Sequence, residues 1–144
     1  MLLNIPAVIS PAMLKALSEM GHGDTLVLAD GNFPSESVGK NAIVLRCDGF
    51  AIPELLDAIL QLVPLDRYVE KPVSFMEVMP GDPVETPVWE VYQDILTKHC
   101  PERPNLVGHV ERFAFYEKAA AAYLIIATGE TALYGNIILQ KGTI

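Results

Sequence analysis

The sequence predicts an α/β fold: a single three-layer domain with a mixed, mostly parallel central sheet and helices on both faces. Three observations carry this. Short apolar runs alternate with stretches of helical periodicity along the chain, as strand–helix–strand units require. The run Leu26-Val27-Leu28-Ala29 is apolar at every position and has no solvent-facing side, which places it inside a sheet covered above and below. The chain has 144 residues, the length of one domain, and a chain of that size buries about 68–70% of its unfolded surface.

In chain order, Ser10-Pro11 opens the first helix, the serine as cap and the proline in the first turn, and Met13, Leu14, Leu17 and Met20 share one face. Gly21 ends it. The strand Thr25 to Ala29 follows, and residues 30–34 turn the chain. Ala42 to Leu45 is a second strand, closed by Asp48-Gly49. Pro53 opens a helix in which Leu55, Leu56, Ile59, Leu60 and Val63 recur at helical spacing. Pro72 to Met79 alternates as a strand does, and Pro80-Gly81-Asp82-Pro83 is turn chemistry. Thr86-Pro87 starts a third helix with Val88, Val91, Tyr92 and Ile95 on its buried side, and His99-Cys100-Pro101 ends it. Leu106 to Val110 is a short strand, Phe113 to Ala122 an alanine-rich helix, Tyr123 to Ala127 a buried strand and Ile137 to Leu139 the last one. No repeat, low-complexity tract or linker divides residues 1–144.

Composition narrows the partners. Hydrophobic residues make up 51% of the chain and charged ones 19%, so surplus apolar surface is expected to go into contacts between copies in a homo-oligomer. The net charge of −8 comes from 18 acidic against 10 basic residues, and the basic ones form no cluster, which speaks against nucleic acid and against anionic membrane. A neutral small molecule suits this balance. No apolar run approaches the roughly 18 residues of a membrane span, and a cytoplasmic location is expected. Cys47 and Cys100 have neither metal-type spacing nor a disulfide framework around them and read as small hydrophobes.

The chemistry-bearing residues fall in three clusters. In the first, His22 stands between Gly21 and Gly23, which leaves its imidazole open to a ligand, and Asp30 stands where a strand hands the chain to a loop, the usual address of a ligand crevice in α/β sheets. Asp24 and Asn32 accompany them. In the second, Arg112 precedes a helix with aromatic residues beside it, placed to donate to a ligand oxygen, while Phe113 and Tyr116 read as packing. The third, Tyr134-Gly135-Asn136, offers a hydroxyl, an amide and close backbone approach, a set suited to a polyol. His99 reads as a partner of a helix C-terminus and His109 as structural. His22, Asp24 and Asp30 match no metal-ligand spacing, so no metal is expected. Phosphate loops and nucleophile motifs are absent as well.

Taken together, Ile9-Ser10-Pro11, Glu19-Met20-Gly21-His22-Gly23-Asp24, Asp30 with Phe33-Pro34, Asp48-Gly49, Arg112-Phe113-Ala114-Phe115-Tyr116-Glu117, Thr128-Gly129-Glu130 and Tyr134-Gly135-Asn136-Ile137 resemble the ribose pyranase and fucose mutarotase family. The pieces run nearly end to end, and the Arg112 to Glu117 string favours the fucose branch. One departure is Gly31-Asn32, where relatives carry alanine and histidine. The resemblance implies a cofactor-free isomerase acting at the anomeric carbon of a neutral sugar. It also implies His22 as proton donor, with Asp30, Arg112, Tyr134, Gly135 and Asn136 binding the sugar.

These residue types fit the chemistry. Opening a pyranose ring takes a proton from the anomeric hydroxyl and delivers one to the ring oxygen, and imidazole exchanges protons near neutral pH. Asp30 serves either as partner base or as a holder of hydroxyls, and Tyr134 either relays a proton or bonds the sugar; the sequence leaves both pairs open. His22 and Asp30 are eight residues apart with a strand between them, and an extended segment of that length spans roughly 26 Å. They meet on one hexose only if the glycine hook folds back or a second copy supplies one of them, which predicts a composite site at a subunit interface. The competing expectations are the same reaction on ribose and a non-catalytic sugar-binding protein of the same fold.

Overall fold

The computed structural model describes residues 1–144. Strands β1 (Thr25–Ala29), β2 (Ile43–Cys47), β3 (Val73–Met76), β4 (Val107–Val110), β5 (Leu124–Thr128) and β6 (Ile137–Gln140) form one six-stranded sheet in the order β2-β5-β1-β6-β3-β4. Helices α1 (Pro11–Glu19), α2 (Ser35–Val38), α3 (Ile52–Leu60), α4 (Pro87–His99) and α5 (Arg112–Ala120) complete the fold. Only β6 runs antiparallel, against β1 and β3; the remaining pairings are parallel. The mixed, mostly parallel sheet expected from the sequence is what the chain forms.

The layers follow from the alternation of side chains along the strands. Leu26 and Leu28 of β1, with Leu124, Ile126, Ile137 and Leu139 from its neighbours, pack against α1, α3 and α4. Val27, Ala29, Ile125 and Ile138 point the other way, onto Phe115 and Ala119 of α5. Each leucine or isoleucine buried in this way stabilises the fold by about 1.5–3 kcal/mol, so the central strand is anchored on both faces.

Local signals set the helix starts. Ser10 Oγ accepts from the Met13 N–H at 3.1 Å. Glu111 caps α5, its Oε2 accepting from the N–H groups of Phe113 and Ala114 at 3.0 and 3.1 Å, which fixes Arg112 in the first turn.

The structure departs from the sequence reading in three places. β3 ends at Met76, where its parallel partner β4 ends at Val110, so residues 77–79 leave the sheet instead of extending the strand. The four-residue helix α2 occupies a stretch too short to show periodicity. Val91 is 44% exposed, because the buried stripe of α4 is Val88, Tyr92 and Leu96 and Val91 lies beside it.

The connections after β1 lead toward β2 and β5, and those after β3 lead toward β4, with β6 between. The loops therefore diverge at the carboxyl ends of β1 and β3 and leave a crevice floored by the amino end of β6. No helix is long and apolar enough to cross a membrane.

Candidate functional site

That crevice holds a cavity of about 230 Å³ lined by Asp30, Asn32, Phe33, Met76, Asp82, Arg112, Tyr116, Leu133, Tyr134 and Asn136. It lies below the roughly 300–1,000 Å³ of sites for drug-sized ligands and suits a ligand of few heavy atoms. Four of the sequence-selected residues, Asp30, Arg112, Tyr134 and Asn136, meet here from positions up to 106 residues apart. Gly135 sits between two of them.

Asp30 is 6% exposed and bound into a reciprocal pair. Its N–H donates to Asn136 Oδ1 at 2.8 Å, and Asn136 Nδ2 donates to Asp30 Oδ2 at 2.9 Å. The Asn32 N–H donates to Asp30 Oδ1 at 3.0 Å. Burial pushes the Asp30 carboxyl above the usual carboxylate range, while the N–H groups of Asn32 and Phe33, the Asn136 amide and the Gly135 N–H pull the other way. The result is a rigid floor joining the ends of β1 and β6.

The wall above it is the Tyr134 elbow. Tyr134 takes a left-handed φ of 54°, a conformation that costs a non-glycine residue about 1–3 kcal/mol and persists only when its surroundings hold it. Here α4 holds it: Trp89 Nε1 donates to the Tyr134 carbonyl at 2.9 Å, and the Tyr92 hydroxyl donates to the Gly135 carbonyl at 2.8 Å. A side chain at Gly135 would meet Ala132 O at 2.9 Å, so the elbow needs glycine there. The Tyr134 hydroxyl donates to Asp82 Oδ2 at 2.7 Å and accepts from the Met79 N–H at 3.3 Å. The Asp82 carboxylate keeps that phenol protonated to above its usual range.

Arg112 and Tyr116 form the opposite side. The Arg112 guanidinium lies 5.7 Å from the Tyr116 ring centroid and 5.9 Å from that of Phe113, and it forms no ion pair. Tyr116 stacks on Phe33 at 5.4 Å. Its ring packs, as its helical position suggests, and the residue lines the cavity as well.

His22 lies elsewhere. It precedes β1, whereas Asp30 follows it, so the two lie at opposite ends of that strand within one chain. The imidazole is 45% exposed, and its Nε2 lies 3.2 Å from Oδ2 of Asp66, a carboxylate only 2% exposed. Asp66 also accepts from the Tyr68 N–H and from Gln140 Nε2, both at 2.9 Å. The Tyr68 N–H first, then His22 and Gln140, hold its carboxyl below the usual range. The Tyr68 ring, 80% exposed, lies 5.4 Å from the imidazole. His99 bonds to Asp57 at 2.8 Å, and His109 packs beside Trp89, both away from the cavity.

The sequence matches the profile of the RbsD / FucU transport protein family over residues 3–144. The chain belongs to this family. It is 49% identical to the fucose mutarotase of Homo sapiens over 145 residues, 98% of this chain and 93% of that protein. Among solved structures, FucU from Bifidobacterium longum is 56% identical with a TM-score of 0.95, covering 98% of this chain and 99% of that one. The fucose mutarotase of Streptococcus pneumoniae, solved in complex with L-fucose, is 48% identical with a TM-score of 0.92 over 99% of both chains. RbsD of Bacillus subtilis, complexed with D-ribose, is 21% identical with a TM-score of 0.71 and shares the fold. The family resemblance read from the sequence motifs is thus borne out.

Proposed function

We infer that this protein interconverts the α and β anomers of L-fucose by acid–base opening and reclosure of the pyranose ring, each site being shared between two copies of the chain. One observation carries the reading. A small cavity rich in hydrogen-bonding groups stands at one end of β1, and an exposed imidazole backed by a buried carboxylate stands at the other. Neither end alone supplies both a sugar pocket and a proton donor. A second copy placed end to end brings the His22–Asp66 pair of one chain to the cavity of the next, a heterologous contact of the kind that closes into rings. Exposed Tyr68 beside His22, and exposed Phe113 and Leu133 near the cavity, supply apolar surface for that contact.

In this reading Arg112, Tyr134 and Asn136 hold hydroxyls. The donors that each oxygen of Asp30 already holds favour the second of its two roles, a fixed holder of hydroxyls, over that of a base. Protonated His22 gives its proton to the ring oxygen as the bond to the anomeric carbon opens and recovers it on reclosure, with Asp66 stabilising the imidazolium. The anomeric hydroxyl gives its proton to solvent water, and reclosure reverses the transfer. Such positioned proton transfer supplies about 10²–10⁴-fold, enough for a reaction already fairly easy in water. Free thiols at Cys47 and Cys100 suit a reducing, cytoplasmic setting, which belongs to the same reading.

Exchange NMR on equilibrating α- and β-fucose tests this. The expected result is accelerated exchange that His22→Ala removes. Acceleration confined to ribose supports the pyranase alternative, and sugar binding without acceleration supports a non-catalytic binding protein.

A further inference from the structure

We propose that Asp82 is a substrate-binding residue of this cavity, the carboxylate that accepts a hydrogen bond from a sugar hydroxyl, and that this contact selects among neutral monosaccharides. It takes the sugar-site reading as its starting point and adds a residue that sequence inspection shows only as part of a turn.

A sugar hydroxyl both donates and accepts, so a cavity lined by Arg112 and Tyr116 as donors also needs an acceptor. Two carboxylates line it. Asp30 is buried and each of its oxygens already carries a protein donor, Oδ1 the Asn32 N–H and Oδ2 the Asn136 amide, while the Phe33 N–H goes to the Asp30 backbone carbonyl. Asp82 is the other case. Its Oδ2 accepts from the Tyr134 hydroxyl at 2.7 Å, and its Oδ1 bonds to no protein group.

The free oxygen is also held in place. The Asp82 N–H donates to the Met79 carbonyl at 3.1 Å, closing a turn in which Gly81 takes a φ of 84°. The Met79 N–H donates to the Tyr134 hydroxyl, so that one phenol ties the turn at two points. Tyr134 is in turn fixed through its carbonyl by Trp89. Asp82 is therefore an acceptor on an exposed turn tied down by four contacts that lead back to α4, which lowers the ordering cost of binding. Arg112 lines the same cavity without an ion-pair partner, so a cationic donor and an anionic acceptor share it, a pairing that fits neighbouring hydroxyls.

Substitutions separate this role from simple support of the turn. Asp82→Asn keeps an oxygen to accept from Tyr134 and replaces the free oxygen with an amide donor, whereas Tyr134→Phe removes the tether and keeps the carboxylate. With exchange NMR as the assay, Asp82→Asn is expected to raise KM for fucose about tenfold with a smaller change in kcat and an unchanged melting temperature, the loss of one hydrogen bond to a charged group. A series of monodeoxy fucose analogues then locates the contact: for one of them the wild-type protein and Asp82→Asn bind alike. An Asp82→Asn protein with wild-type KM, or one whose deficit is equal for every analogue, overturns the assignment while leaving the mutarotase reading intact. A wild-type protein that neither binds nor interconverts fucose overturns both.

Discussion

The two ends of β1 carry the same kinds of side chain in opposite states. At the carboxyl end Asp30 is sealed, its polar atoms matched by Asn32 and Asn136, and it neighbours a cavity. At the amino end Asp66 is sealed in the same fashion by Tyr68 and Gln140, but what it supports is an imidazole that faces outward. One buried carboxylate organises a place to bind, and the other aims a group that moves protons. Because both ends belong to a single rigid strand covered on both faces, the separation cannot be closed by bending the chain, and a second copy is the physical route by which they meet.

The sharpest way to break this comparison is to disable one end at a time. His22→Ala is expected to reduce anomer exchange by about 10²–10⁴-fold while leaving fucose binding measurable, since the cavity residues stay in place. Arg112→Ala is expected to weaken binding instead. Mixing the two variants at fucose concentrations too low for Arg112→Ala to turn over, under conditions that exchange subunits, regenerates intact interfaces, about a quarter of them if assembly is random in a ring of head-to-tail contacts. Recovery of activity in the mixture, read by exchange NMR, supports the shared site, and a mixture as inactive as its parts sinks it.

Asp66→Asn is the next largest effect. It keeps the shape but removes the anion that stabilises the imidazolium, and a fall in kcat of about tenfold or more with little change in KM is expected. The same variant reports on stability. The Asp66 carboxyl is held below its usual range in the folded chain, so its contribution is present above the ordinary aspartate value of about 3.9 and is lost as the pH falls through the lower folded value. The gap in melting temperature between wild-type protein and Asp66→Asn is therefore expected to be widest near neutral pH and to close in acid. A gap that is constant with pH removes the electrostatic account of the pair.

How much of this could be read in the sequence differs between fold and site for a physical reason. β1 was legible because an apolar residue at every position admits one environment, and α1 because Ser10-Pro11 is a local signal acted on within three residues. Asp30, Arg112, Tyr134 and Asn136 were legible as a set because each stands at an element boundary with an unusual neighbour. Asp66 was not, since the partners that give it meaning, His22 and Gln140, are 44 and 74 residues away and its own surroundings read as a plain loop. Tyr116 reads as packing, which its ring does, while its place in the cavity wall depends on how α5 sits on the sheet. Val91 departs from the expected buried face because a helical stripe one residue wide, spaced at 88, 92 and 96, leaves its neighbour in solvent.

The floor of the cavity gives a third, smaller effect. Asn136→Ala leaves the Asp30 carboxylate buried without its amide donor and leaves the Asp30 N–H unpaired, at a cost of about 1–3 kcal/mol for each buried group so exposed. Its pH dependence runs in the same direction as that of Asp66→Asn but from a different cause. Asp30 is raised in the folded chain, so its protonated form is the more easily tolerated one, and the amide matters most once the carboxyl ionises. The destabilisation, measured by urea unfolding, is expected to grow as the pH rises through the Asp30 titration.

The smallest expected effect lies in α4. Tyr92→Phe removes the hydroxyl that donates to the Gly135 carbonyl, a loss of about 1 kcal/mol in stability, and leaves the ring packed against Phe75. Tyr134 keeps its second support from Trp89, so the elbow loosens without collapsing. The consequence for function follows from what the elbow carries: Tyr134 and Asn136 serve binding, and the proton donor sits at the other end of the strand. Tyr92→Phe is therefore expected to raise KM a few-fold and to leave the pH profile of kcat where it was. A shifted kcat profile with unchanged KM would place proton transfer at the Tyr134 end and undo the division of labour between the two ends of β1.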